Sequence, residues 1–173
     1  MLGRFAAAVM VIVGAVGFGH AICQENQVEL EHLKKQKRML LYMIREISFL
    51  HRPIQEVFLA IYSKLDEPYS NFMYGIFCEM DKDEGVSMQD AWNKMVEKVQ
   101  LEKTGLRKSK ITLDMIRDSV GCGEDMMQIE ALKLVEMEIE DTIDKMQKEK
   151  DEKYKLIHTL SILAGIFCVV LFI

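Results

Sequence analysis

Histidines, cysteines and carboxylates are the side chains from which metal or nucleophilic chemistry is built, so their spacing comes first. The histidines are His20, His32, His51 and His158. No two of them stand as His-x-x-x-His, the spacing that puts two ligands on one helix face. His51 precedes Arg52-Pro53, where a helix-end or surface role is expected. The cysteines are Cys23, Cys78, Cys122 and Cys168, and no Cys-x-x-Cys occurs. Cys78 and Cys122 are expected to be buried apolar residues, with reduced thiols if the central part of the chain is cytoplasmic. There is no Walker loop, Gly-x-Gly-x-x-Gly or Gly-x-Ser-x-Gly. Gly121-Cys122-Gly123 is glycine-rich but lacks the Lys-Ser/Thr that a phosphate loop needs. The 13 methionines fall mostly at helical spacing among other apolar residues, which is core packing rather than copper ligation. Carboxylates are plentiful but interleaved with lysines, as on a solvated helix surface. These patterns predict no enzyme, no metal site and no cofactor.

The elements that carry these residues are set by a segregation of charge. Phe5 to Cys23 is 19 positions without Asp, Glu, Lys or Arg, and Leu156 to Ile173 is 18. Everything charged except Arg4 lies between them. Residues 24–155 carry 21 Lys+Arg and 27 Asp+Glu, a net charge of −6. An acidic domain between two apolar ends excludes a freely soluble enzyme and argues against nucleic acid as a partner.

About 20 apolar residues, with a lower limit of roughly 17, cross a bilayer as a helix. Residues 1–23 and 156–173 are therefore expected to be transmembrane helices flanking a domain at 24–155. Near the spans, Lys34, Lys35, Lys37, Arg38, Lys145, Lys148, Lys150, Lys153 and Lys155 stand on one side and only Arg4 on the other. That bias predicts a cytoplasmic domain with both termini across the membrane. The competing expectation is an exported helical binding protein, anchored at its C-terminus, whose N-terminal segment is a signal cleaved near Gly19-His20-Ala21.

Between the ends, the pattern is helical throughout. Leu30, Leu33, Leu40, Ile44 and Ile47 continue a first helix, with Lys37 interrupting the stripe. Pro53 and Pro68 open two further helices with apolar faces Ile54, Val57, Phe58, Ile61 and Phe72, Met73, Ile76, Phe77, Met80. Gly85 is the stop after the second of these, and Ser87 is the N-cap of the next helix, which turns Ala91, Trp92, Met95 and Val99 inward. Residues 101–109 read as a polar connection and 111–120 as a short helix. A long last helix begins near Asp125, with Ile129, Leu132, Val135, Ile139, Ile143 and Met146 on its buried face. No stretch alternates at period two. The expected fold is all-α, an antiparallel bundle of about six helices.

Between Val120 and Asp125 the chain must reverse. Gly121 and Gly123 suit a backbone that needs positive φ, and Glu124 places negative charge where the last helix begins. Gln128, one turn inside, is placed to close the reversal by a side-chain hydrogen bond. The segment serves as a connector, or also as a docking point for a partner.

The whole chain resembles the stage III sporulation protein AB family. The resemblance rests on the two uncharged ends, on Pro53 and Pro68 at successive helix starts, and on Gly85-Val-Ser-Met-Gln-Asp-Ala-Trp92, which is similar to the family's glycine-then-helix step. The family's Leu-Gly-x-x-Asp-x-x-x-Gln stands here as Val120-Gly121 with Glu124 and Gln128, Val replacing Leu and Glu replacing Asp. That family is similar in turn to the cytoplasmic domain of the inner-membrane platform protein of type II secretion and type IV pilus systems. The resemblance implies a place in the mother cell–forespore channel of an endospore-forming bacterium, in the mother-cell membrane around the forespore. It implies partners: the cytosolic ATPase known as stage III sporulation protein AA, other channel components, and further copies of the chain itself.

Overall fold

A computed structural model describes the backbone at 2–82, 85–98, 106–120 and 125–172, and side chains at 26–82, 85–98, 106–120, 126–156 and 159. Among these residues there are six α-helices, a single 3-10 turn and no strand. The helices are α1 Leu2–Leu50, α2 Ile54–Ile61, α3 Tyr69–Lys82, α4 Met88–Lys98, α5 Arg107–Ser119 and α6 Asp125–Phe172, with the 3-10 turn Tyr62–Lys64 after α2. The chain divides into two compact units. One is Val28–Ile143; the other joins the start of α1, up to Gln27, with the part of α6 from Asp144 onward. The uncharged ends are helical in backbone, and their side chains, except those of Leu156 and Thr159, lie outside the described residues. Among the described residues no helix is long and apolar enough to cross a membrane.

Local sequence explains most boundaries in the Val28–Ile143 unit. α1 ends at His51, whose φ of 46° is left-handed and whose N–H donates to the Ile47 carbonyl at 3.1 Å. Pro53 disfavours helical backbone at Arg52 and caps α2 with φ −53°. Asp66-Glu67-Pro68 breaks the chain before α3, and the Asp66 carbonyl accepts from Tyr69 N–H at 3.1 Å. Ser87 caps α4 as the sequence predicts, its Oγ accepting the Asp90 N–H at 3.1 Å.

The core of this unit forms where these helices bury their stripes. α3 packs against both α2 and α4. Trp92 meets Phe72 edge-on at 4.8 Å between ring centroids and Phe58 at 6.3 Å, and all three are fully buried. Gly75 of α3 leaves room for the Met95 side chain of α4, whose end a Cβ there would overlap.

Four sequence expectations change. The α1 stripe is not interrupted at Lys37; it passes through Gln36, which is fully buried, while Ile44 is half-buried. Lys37 instead reaches α6, 3.1 Å from Glu140 and 4.0 Å from Glu136. α5 begins at Arg107, four residues earlier than the apolar pattern indicates. Phe77, Cys78 and Met80 are half-buried rather than core. In α4, Val96 joins the buried face; Val99 and Cys122 lie outside the described residues.

Candidate functional site

The polar residues that the apolar pattern hid converge where α1 meets α3 and α5. Gln36 Nε2 donates to the Ser109 Oγ at 2.6 Å and to the Ser109 carbonyl at 2.9 Å. The Tyr69 hydroxyl lies 3.1 Å from His32 Nδ1 and 3.5 Å from Ser109 Oγ. Gln36, Ser109 and Tyr69 are fully enclosed. Burial pushes the Tyr69 phenol up to about 12, against smaller opposing effects from Ser109 and Gln36, so it stays protonated. Burial, then the charge of Lys35, holds the His32 imidazole below its ordinary 6.5. A neutral imidazole beside a protonated phenol gives no poised acid–base pair at neutral pH.

The same seam explains where α5 starts. Leu106 makes no side-chain cap, and the first turn carries Arg107, Lys108 and Lys110, the wrong sign for a helix N-terminus. Glu29, buried on α1, accepts the Lys108 N–H. A carboxylate 79 residues away in sequence thus caps the helix and offsets its basic first turn.

A second constellation surrounds Glu46, 1% exposed near the end of α1. Lys64 donates to it at 2.7 Å, Arg45 stands at 3.3 Å and Arg52 at 3.6 Å. The hydrogen bond from Lys64 is the main reason its carboxyl titrates below the ordinary 4.5. Arg38, Arg45 and Lys64 also lie within 5.7–6.0 Å of the Tyr42 ring centroid. Three cations hold this carboxylate ionised, so it ties α1 to the 3-10 turn and is a poor proton carrier. Among the described residues no group of three or more His, Cys, Asp or Glu gathers as metal ligands do.

Of the turn residues that the sequence singles out, Gly121 and Glu124 lie outside the described residues. Gln128 is 7% exposed, one turn into α6, so its side chain is turned into the unit rather than offered to a partner. Beside it, Met126 and Met127 are 68% and 65% exposed. Sequence reasoning counted methionines as core and missed this pair. The signal was present: both fall off the stripe running through Ile129, Leu132 and Val135.

This geometry defines a class: an all-helical unit whose buried ionisable groups hold its helices together and whose apolar side chains reach the surface in places. The chain belongs to the stage III sporulation protein AB family, whose sequence profile matches residues 4–173. A solved structure of stage III sporulation protein AB is similar in fold, with a TM-score of 0.59 at 20% identity, covering 70% of this chain and 94% of that one. A search of curated proteins gave no match.

Proposed function

We propose that this chain is a non-enzymatic membrane platform in the mother cell–forespore channel, receiving the cytosolic ATPase, stage III sporulation protein AA, on its helical domain. Family membership over 4–173 supports the sporulation role. The uncharged ends support two membrane spans, and the nine flanking Lys and Arg against Arg4 support a cytoplasmic domain in the mother-cell membrane around the forespore.

The observation that carries docking is the exposed pair Met126 and Met127 at the start of α6. Two adjacent, flexible apolar side chains on a surface are adaptable contacts for a partner. Gln128, the next residue of α6, is buried behind them. On this reading the partner meets the two methionines, and Glu124, just ahead of α6 in sequence, adds a charge to the contact.

The test is recovery of the ATPase with the full chain purified from membranes. Met126→Asp with Met127→Asp should lower recovery about tenfold or more, as loss of a central apolar contact does, with an unchanged melting temperature. Undiminished recovery in a folded double variant would remove this docking site. A thiol probe on a cysteine introduced at Gly85 should react only after the membrane is permeabilised. Reaction in intact cells would favour the exported, anchored binding protein instead.

A further inference from the structure

α1 and α6 each present a second stripe, opposite the one they bury. On α1 it runs through Lys34, Arg38, Leu41 and Arg45, spaced four, three and four, and all are exposed. On α6 it runs through Glu130, Leu134 and Met137, flanked by Glu138, at the same spacing. Leu134 and Met137 are 67% and 65% exposed, although each lies in the middle of a long helix. One stripe is basic and apolar, the other acidic and apolar. Neither Glu130 nor Glu138 has an ion pair within the chain among the described residues.

The ion pairs of Lys37 fix how the two stripes lie. Lys37 sits on the flank of α1, between its buried and exposed stripes, and reaches Glu136 and Glu140. The helices are therefore side by side, and their exposed stripes are neighbours on one side of the Val28–Ile143 unit. With both buried stripes turned into the unit, the flank of α1 that carries Lys37 and the flank of α6 that carries Glu136 and Glu140 face each other only if the two helices run antiparallel. Residues whose numbers add up to about 175 then lie level, at a rise of about 1.5 Å per residue on both helices. That register sets Arg38 level with Glu138, Leu41 with Leu134, and Arg45 with Glu130.

We infer that this face is where a second copy of the chain docks, by a two-fold axis parallel to the helices. Such an axis keeps every level and lays α1 of each copy on α6 of the other. Arg38 meets Glu138 of the partner subunit, Arg45 meets Glu130 of the partner subunit, and Leu41 packs on Leu134 and Met137 of the partner subunit. Each contact occurs twice, as in any isologous interface. The present partners of the two arginines leave each guanidinium more than half exposed. Arg38 pairs with exposed Asp66 at 3.3 Å, a weak pair of the surface kind, and Arg45, 3.3 Å from buried Glu46, shares that carboxylate with Lys64 and Arg52. A second carboxylate adds to them. The inference deepens the platform reading, since a chain with one copy of the domain builds a platform only by joining others, but its charge complementarity stands on these residues alone.

Analytical ultracentrifugation of the full chain in detergent micelles tests it. The wild-type chain should be dimeric, and Arg38→Glu or Glu138→Arg should each raise the dissociation constant about tenfold or more, because two like-charge contacts replace two attractive ones. An equimolar mixture of the two variants should recover wild-type affinity, because in the mixed dimer every contact is again between opposite charges. Circular dichroism melts establish that each variant is folded. Glu138→Arg breaks no pair within the described residues and carries the test if Arg38→Glu does not fold. A monomer at every concentration overturns the inference, as does an affinity unmoved by both variants or a mixture no tighter than its parts. If the variants leave assembly unchanged but lose the ATPase, the face belongs to the ATPase. Dimerisation with no ATPase recovered under any condition would instead remove the docking reading and leave this one standing.

Discussion

The Val28–Ile143 unit has two interiors held by different forces. Where α2, α3 and α4 meet, Phe58, Phe72 and Trp92 pack ring against ring. Where α1 meets α3 and α5, Gln36, Ser109, Tyr69 and His32 are joined by hydrogen bonds, and Glu29 accepts the Lys108 N–H. Burial of apolar area is non-directional and tolerates neighbours of similar volume. A buried hydrogen bond adds little net stability when made but costs its full desolvation when one partner is removed. The first region supplies stability. The second fixes which residues of α1 and α5 face each other, because a shifted helix would leave polar groups enclosed and unpaired. The difference teaches that the register of α1 against α5 is set by polar contacts, although the apolar core outweighs them in energy.

The sharpest way to break the comparison is Trp92→Ala. It removes the ring that both phenylalanines contact, and an aromatic truncation of this kind costs about 3–5 kcal/mol. Urea denaturation should show that loss with the helices otherwise intact; a loss below the cost of an ordinary surface substitution would mean the aromatic region is not the main support.

The polar seam responds to a different change. Gln36→Leu keeps the volume but takes from the enclosed Ser109 hydroxyl its 2.6 Å donor, leaving only the longer 3.5 Å contact with Tyr69, at about 1–3 kcal/mol. Adding Ser109→Ala should recover part of that loss, which no purely apolar contact would do. A double variant no more stable than Gln36→Leu would show that the hydrogen bond is not what holds α1 to α5.

Acid separates the seam from the Glu46 cluster with the smallest effects. His32 titrates below 6.5 in the folded chain, through burial and then Lys35. Between its folded value and 6.5 the unfolded chain binds the extra proton, so stability falls as pH drops below 6.5. Glu46 is depressed below 4.5, chiefly by the Lys64 hydrogen bond. Its contribution is present above 4.5 and is lost as pH falls through the folded value. Melting temperature against pH should therefore show two acid steps. His32→Gln should flatten the upper one and Lys64→Met the lower one. An upper step that persists without His32 would place that titration elsewhere.

Much of the helical order was legible because its signals are local. Pro53, Pro68 and the Ser87 cap act on their own backbone, and the three-four spacing around Phe58, Phe72, Trp92 and Leu132 marks a buried face without knowledge of what covers it. The break between α5 and α6 was legible at Val120 and Asp125. That Met126 and Met127 stand exposed while Gln128 is enclosed was not, since the phase of α6 against the unit decides it. Gln36 was misread for the same reason: a polar residue at a core position looks like a surface residue until its partner is known.

By itself, then, the sequence determined the all-helical class, the breaks between helices, the aromatic core, and the uncharged ends with their flanking lysines and arginines. These depend on residue type, backbone restriction and hydrophobic period, which act over a few positions. Only the tertiary structure decided the start of α5, because its cap is Glu29 on another helix, and the burial of Gln36, because Ser109 lies 73 residues away. It also decided that Leu134 and Met137 face outward level with Leu41. Apolar residues are written into a sequence one at a time, but whether a face is covered is fixed only when the neighbouring helices are in place.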